Sequence, residues 1–301
     1  MRVAVLYGGI SRERDISISS GTRVYEALKK LGYDASLIDV DEDFLKRVWD
    51  LRNFDVVFPM LHGYFGEDGS IQGVLEYLGV PYVGSGVQES SLCFDKLRTY
   101  QILKDVVNVP KYVVIRRPTD KSPFGFPCFI KPRREGSSIG AHICHNEREL
   151  WNFSKRELGV YDDLLLMEYI KGREMTVSVI EIDGVETILP ILELRPEKEF
   201  YDYEAKYTKG MTKFIIPAPV NEDLKKVIES QALTAYKNLG CKSFARIDGI
   251  LRDGIFYFLE ANSIPGMTET SDLPASAEAF GYSFETLVSV LLKSASLKIP
   301  R

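Results

Sequence analysis

The first 60 residues constrain the fold more than any other stretch. Arg2 to Tyr7 is an apolar run that stops at Gly8-Gly9, after which Val24, Ala27, Leu28 and Leu31 recur at helical spacing until Gly32. Strand signals return at Leu37 to Val40 and, after another helical stretch, at Asp55 to Leu61. Strand, glycine turn and helix in alternation predict a parallel sheet, because parallel strands need a crossover. Such a sheet binds ligands in the loops beyond its strands' carboxyl ends, here Gly8 to Glu13 and His62 to Gly69.

The pattern then changes. A helical signal at Asp95 to Leu103 precedes strand signals at Tyr112 to Ile115, Cys128 to Ile130 and Ala141 to Cys144, a helix at Leu150 to Leu158, and a strand at Leu164 to Glu168. Thr176 to Ile182 and Val185 to Leu192 flank Asp183-Gly184, a strong hairpin signal. Amphipathic helices follow at Leu224 to Ala235 and Ser283 to Leu297. Tyr201 to Gly210 is aromatic and charged without a pattern, which predicts a long ordered loop of a kind usually kept for function. The expected class is α/β and α+β, divided at residues 1–94, 95–172 and 173–301.

Charge and hydropathy exclude several roles. The net charge is −5, and no basic run offers a phosphate-backbone stripe, so no nucleic-acid partner is expected. Apolar stretches such as Val3 to Tyr7 fall far short of the roughly 18 residues that span a bilayer, so no membrane partner is expected either. The N-terminus lacks the features of a secretory signal, and the cysteines at 93, 128, 144 and 241 form no Cys-x-x-Cys pair. Both point to a reducing, cytoplasmic setting.

Ser243 to Leu251 and Ile255 to Asn262 are apolar strands carrying Arg246, Asp248, Glu260 and Asn262. A two-residue Asp253-Gly254 turn with regular pairing would set Asp248 and Glu260 on opposite faces. A three-residue turn from Arg252 to Gly254 would place Arg246 opposite Glu260 and gather all four on one face. This second register is expected. Two carboxylates and an amide oxygen so gathered suit Mg²⁺, although an Arg246–Glu260 ladder on a solvated face fits the spacing equally well.

Lys131-Pro132 and Arg134 to Gly140 join two strands, and backbone N–H groups with serine hydroxyls there can wrap phosphates; an ordinary glycine turn is the alternative. Gly8-Gly9 matches neither Gly-x-Gly-x-x-Gly nor a Walker A pattern. His142 and Cys144 share a strand face that His145 leaves, which disfavours zinc.

In order along the chain, Gly8-Gly9-x-Ser11-x-Glu13-Arg14, Leu61-His62-Gly63 with Gly66-Glu67-Asp68-Gly69, Tyr82 to Gly86, Asp95-Lys96, Lys131 to Gly140, Tyr201 to Tyr207, Arg246-Ile247-Asp248, Glu260-Ala261-Asn262 and Pro265 to Thr268 resemble the D-alanine–D-alanine ligases of the ATP-grasp superfamily. The resemblance runs from about residue 3 to residue 290. Arg133 departs from it, standing where serine is frequent, as does Ile264 before Pro265. It implies a three-domain ATP-grasp fold with an N-terminal parallel α/β domain, and ATP with two Mg²⁺ ions (or Mn²⁺) as cofactors. It also implies two D-alanine molecules as substrates and a homodimer.

By the same resemblance, Lys96, Lys131 and Lys206 meet phosphates, Glu168, Tyr169 and Ile170 form the adenine hinge, and Glu174 holds the ribose. Asp248, Glu260 and Asn262 are the metal ligands. Glu13 receives the first D-alanine's ammonium, with Ser137 and Tyr207 orienting the loops over it. Arg246 and the Gly266 N–H are the oxyanion donors. His62 lies beside the substrates, and Ser271 with the Leu273 amide takes the second carboxylate.

Overall fold

The computed structural model describes residues 1–196 and 211–300. Tyr201 to Gly210, with Lys206 and Tyr207, therefore lies outside the described residues.

Strand β1 (Arg2–Tyr7) pairs in parallel with β2 (Asp34–Asp39) on one side and with β3 (Val56–Pro59) on the other. The order β2-β1-β3 puts a topological switch point between the carboxyl ends of β1 and β3, where a crevice opens above an open α/β sheet. Helix α1 (Arg14–Lys30) covers one face through Val24, Ala27 and Leu28. Its upper half carries a different stripe. Ser17 donates to the Met60 carbonyl at 2.5 Å, and Ser20 accepts the Met267 N–H at 3.1 Å. These hydroxyls fasten the end of β3 and a distant loop to the helix, so polar groups are buried with partners supplied. The helical stretch expected before β3 is a pair of 3₁₀ turns, Phe44–Lys46 and Val48–Asn53. Helices α2 (Ser70–Leu78) and α3 (Val87–Phe94) follow.

Helix α4 (Lys96–Leu103) starts from an Asp95 cap whose carboxylate accepts the Arg98 N–H at 3.2 Å. An antiparallel sheet, ordered β4-β7-β5-β6, comprises β4 (Tyr112–Ile115), β5 (Cys128–Pro132), β6 (His142–Cys144) and β7 (Leu164–Glu168), with α5 (Glu147–Glu157) against it. The larger antiparallel sheet is built on β8 (Arg173–Ile182). It contains β9 (Val185–Ile188), β10 (Leu192–Pro196), β11 (Thr212–Ile215), β12 (Phe244–Arg252) and β13 (Ile255–Asn262), backed by α6 (Glu222–Asn238). The single strand expected over Val185 to Leu192 is two, because Pro190 has no N–H for a ladder. Helices α7 (Asp272–Ala279) and α8 (Phe284–Lys293) return to pack against α1 and β8.

The β12–β13 hairpin corrects the expected register. Its turn has two residues, Asp253 and Gly254, both at positive φ, and Arg252 pairs Ile255. The ladder then shifts. Gly249 pairs Phe258 but Asp248 pairs Glu260, so Leu259 is left over as a bulge, and Arg246 lies opposite Asn262 rather than Glu260. One extra residue inverts the parity of everything beyond it. All four polar side chains do share a face, through a bulge rather than a longer turn. The Leu259 carbonyl, released from the ladder, accepts from the Tyr100 hydroxyl at 2.8 Å and from Lys131 Nζ at 3.5 Å.

Candidate active site

The two antiparallel sheets enclose a cavity of about 380 Å³. Lys96, Lys131, Glu168, Tyr169, Ile170, Glu174, Asp248 and Glu260 all line it. Its apolar walls include Phe129, Met167, Met175, Leu194 and Leu259, enough for one flat ring system. The Glu168 carboxylate accepts the Lys111 N–H at 2.7 Å. Both lysines are buried, at 7% exposure each, a cost that an anionic ligand would offset. Lys96 donates to the Glu135 carbonyl at 2.5 Å and stands 3.4 Å from Glu260.

The loop from Arg133 to Gly140 roofs this cavity. Ser137 and Ser138 both hold positive φ, 50° and 59°, which is uncommon for serine and concentrates at ligand loops. Arg133 pins the root of the loop. Its guanidinium forks onto Asp95 with two contacts of 2.5 Å and reaches Asp163 at 3.2 Å. The departure at Arg133 thus ties the loop to the cap of α4, one residue from Lys96. The Ser137 hydroxyl donates to the Glu13 carboxylate, 124 residues away in sequence, so loop and N-terminal sheet meet directly.

That contact opens on a second, smaller cavity of about 60 Å³ at the switch point between β1 and β3. Glu13, His62, Ser137, Arg246, Asn262, Gly266 and Ser271 line it together. Leu273 does not; its side chain is buried in the core, although its amide belongs to the first turn of α7. Ser271 accepts the Thr268 N–H at 2.9 Å.

Arg246 forks onto Asp248 at 2.8 and 2.7 Å and reaches Asp272 at 3.1 Å. Asp248 also accepts from Thr176 at 2.6 Å and from Asn262 at 2.9 Å. Asp248, Glu260 and Asn262 thus offer hard oxygens on one wall, their charge balanced by Arg246 and Lys96, and that donor set fits Mg²⁺. Among the described residues no cluster of three or more His, Cys, Asp or Glu could hold a metal. His142 instead stacks on Phe153 at 4.3 Å and meets Glu157 at 3.0 Å.

Two further acids, Glu67 and Asp272, line the small cavity. Glu67 accepts the Gly63 N–H at 2.8 Å, and burial together with the neighbouring Glu13 pushes its carboxyl up to about 8. Asp272, only 5% exposed, closes the ring around Arg246. Glu67 falls within Gly66-Glu67-Asp68-Gly69, whereas Asp272 carries no local signal beyond following Ser271.

His62 lies 3.4 Å from Ser20, and burial pushes its imidazole down to about 4. Against about 6.5 in the unfolded chain, the folded state resists protonation, so this stability is whole above pH 6.5 and drains as the pH falls towards 4. The expected loss is about 3 kcal/mol. Urea midpoints at pH 7 and pH 4.5 should therefore diverge more for the wild type than for His62→Gln; an equal divergence would place the acid sensitivity elsewhere.

Two antiparallel sheets closing on a lysine- and carboxylate-lined cleft, beside a parallel α/β sheet, constitute the ATP-grasp fold. The family model described as the D-ala D-ala ligase C-terminus matches residues 103–293, and its N-terminal counterpart matches residues 2–50 and 46–85. The D-alanine--D-alanine ligases of Thermotoga petrophila and Thermotoga maritima are each 55% identical to this chain over 298 residues, covering 99% of it and 98% of the relative. A crystal structure of the D-alanine--D-alanine ligase from Bacillus anthracis complexed with ATP superposes with a TM-score of 0.84 at 33% identity, covering 98% of this chain and 96% of that one. VanG D-Ala:D-Ser ligase from Enterococcus faecalis follows at 0.81 and 29%, covering 97% and 98%. The chain belongs to the D-alanine–D-alanine ligase family.

Proposed function

We propose that this enzyme joins two D-alanines into D-alanyl-D-alanine for peptidoglycan precursors, converting ATP to ADP and phosphate through an acyl phosphate. The observation that carries the reading is that one hairpin face serves both cavities: Asp248 and Glu260 line the larger, and Asn262 and Arg246 the smaller. A phosphoryl group handed across that face reaches a carboxylate held at the switch point.

A carboxylate is a poor electrophile, so activation comes first. ATP lies in the larger cavity with its base at the Glu168 to Ile170 hinge, its ribose at Glu174 and its phosphates at Lys96 and Lys131. Asp248, Glu260 and Asn262 would hold the magnesium, which neutralises phosphate charge during transfer. Glu13, held by Ser137, receives the first substrate's ammonium. Ser271 and the start of α7 take the second substrate's carboxylate. As its amine attacks, Arg246 and the Gly266 N–H stabilise the developing oxyanion. The serine–glycine loop excludes water, which would otherwise hydrolyse the acyl phosphate. Lys206 and Tyr207 would join the γ-phosphate and the loop contact. Residues 1–94, 95–172 and 173–301 serve as the three domains, the assembly is a homodimer, and the setting is the cytoplasm. Among the described residues no helix is long and apolar enough to cross a membrane.

Phosphate release from ATP with D-alanine, L-alanine and D-lactate, with the condensed product weighed, tests the proposal. D-alanine should support release of one phosphate per dipeptide. AMP and pyrophosphate as products would defeat the acyl-phosphate route, and a depsipeptide formed at an equal rate would defeat the substrate assignment.

A further inference from the structure

The chain has four cysteines, and no two are close in sequence. The fold nevertheless gathers all four into two contacts. Cys93, near the end of α3, and Cys241, between α6 and β12, bring their sulfurs to 3.5 Å across 148 residues of chain. Cys128 opens β5 and Cys144 closes β6, where they are direct partners in the antiparallel register. All four are free, buried thiols.

Both arrangements meet the covalent geometry of a cystine. Directly opposed antiparallel residues have Cα atoms about 4.5 to 5.5 Å apart, inside the usual disulfide window of roughly 4.4 to 6.8 Å. The other pair needs its sulfurs to close by about 1.5 Å to reach bonding distance, a shift within reach of side-chain torsion. A metal reading has no further ligands to draw on, since the described residues contain no suitable cluster. Neither pair lines either cavity, so the reacting groups do not explain the thiols.

We propose that Cys93–Cys241 and Cys128–Cys144 are two disulfide-forming sites, oxidised by a low-molecular-weight disulfide such as oxidised glutathione. One cysteine thiolate attacks the glutathione disulfide, forming a mixed disulfide and expelling one glutathione thiolate. The partner thiolate then displaces the second. Two electrons pass from the protein sulfurs to the glutathione sulfurs, and the two thiol protons end on two molecules of reduced glutathione.

The pairs should differ in access. Strand β6 is a three-residue edge strand with one side unpaired, so local opening exposes Cys128 and Cys144. Cys93 and Cys241 belong to the large core that includes Tyr100, Val177 and Phe258, and react only on wider opening or during refolding. That second bond closes a long loop, restricting the unfolded chain and raising the thermal midpoint by about 5 °C or more.

The full chain is kept folded in oxidised glutathione and, in parallel, refolded from urea in a glutathione redox buffer; unreduced digests of both are then mapped by mass spectrometry. Cys128–Cys144 should appear in the folded sample, and both linkages, with no others, in the refolded one. The higher midpoint should vanish with dithiothreitol and be absent from Cys241→Ala, which retains Cys128–Cys144. Four free thiols after both treatments, glutathione adducts alone, or mixed linkages would overturn the proposal. The wild-type map decides the pairing even where the variant does not fold.

Discussion

Replacing Arg246 with alanine is expected to lower turnover about 10²- to 10³-fold, the scale for losing one oxyanion donor. The side chain lines the small cavity beside Gly266, and its fork is held in place by Asp248 and Asp272. Those contacts also create a competing explanation. Removing the guanidinium strands two carboxylates, and breaking a buried ion pair costs roughly 3 to 5 kcal/mol. Thermal unfolding must therefore be measured with kinetics. Arg246→Lys separates the effects, since a lysine restores the charge but not the planar two-pronged donor. The midpoint should recover more than the turnover does. Recovery of both together, or unchanged specific activity in the folded fraction of Arg246→Ala, would mean that Arg246 only ties the sheet face.

The strands at Arg2 to Tyr7, Tyr112 to Ile115, Leu164 to Glu168 and Ile255 to Asn262 are legible in the sequence because each is bounded by turn residues and carries an unambiguous apolar run. Helices α2, α3 and α7 are not, since each is short and follows a loop that reads as a motif. The hairpin register shows why parity arguments stop short. Asp253-Gly254 is an ideal two-residue turn, and nothing local marks Leu259 as surplus. What accepts the bulge is tertiary: the Tyr100 hydroxyl, 159 residues away, bonds the released carbonyl. Gly249 is the one nearby trace, because a side chain there would collide with Phe256 and the Tyr257 carbonyl. The site followed the same rule. Residues inside contiguous motifs can be singled out from the sequence and are brought to the two cavities, whereas Asp272 and the Arg133–Asp95 fork depend on elements meeting in space.

Glu260→Gln is expected to reduce turnover by about 10³-fold, the several kcal/mol that a metal Lewis acid contributes to phosphoryl transfer. Asp248 is a poorer probe of the proposed metal site, because it accepts hydrogen bonds from Thr176, Arg246 and Asn262, so its loss would disturb three strands. Lys96 lies 3.4 Å from Glu260 and is also bonded to the Glu135 carbonyl, so the lysine keeps a contact when the charge is removed. Glutamine preserves the shape and one carbonyl oxygen but not the negative charge that a hard divalent cation requires. The variant should therefore fold with a thermal midpoint close to the wild type. Its activity should rise again as Mg²⁺ is increased, because weaker coordination is offset by mass action. ATP measured without metal should bind at least as well as before, since one repulsive charge beside the phosphates has gone. Activity equal to the wild type at limiting Mg²⁺ would remove Glu260 from the metal site. A loss that no Mg²⁺ concentration relieves, with ATP binding also gone, would assign the residue to holding Lys96 instead.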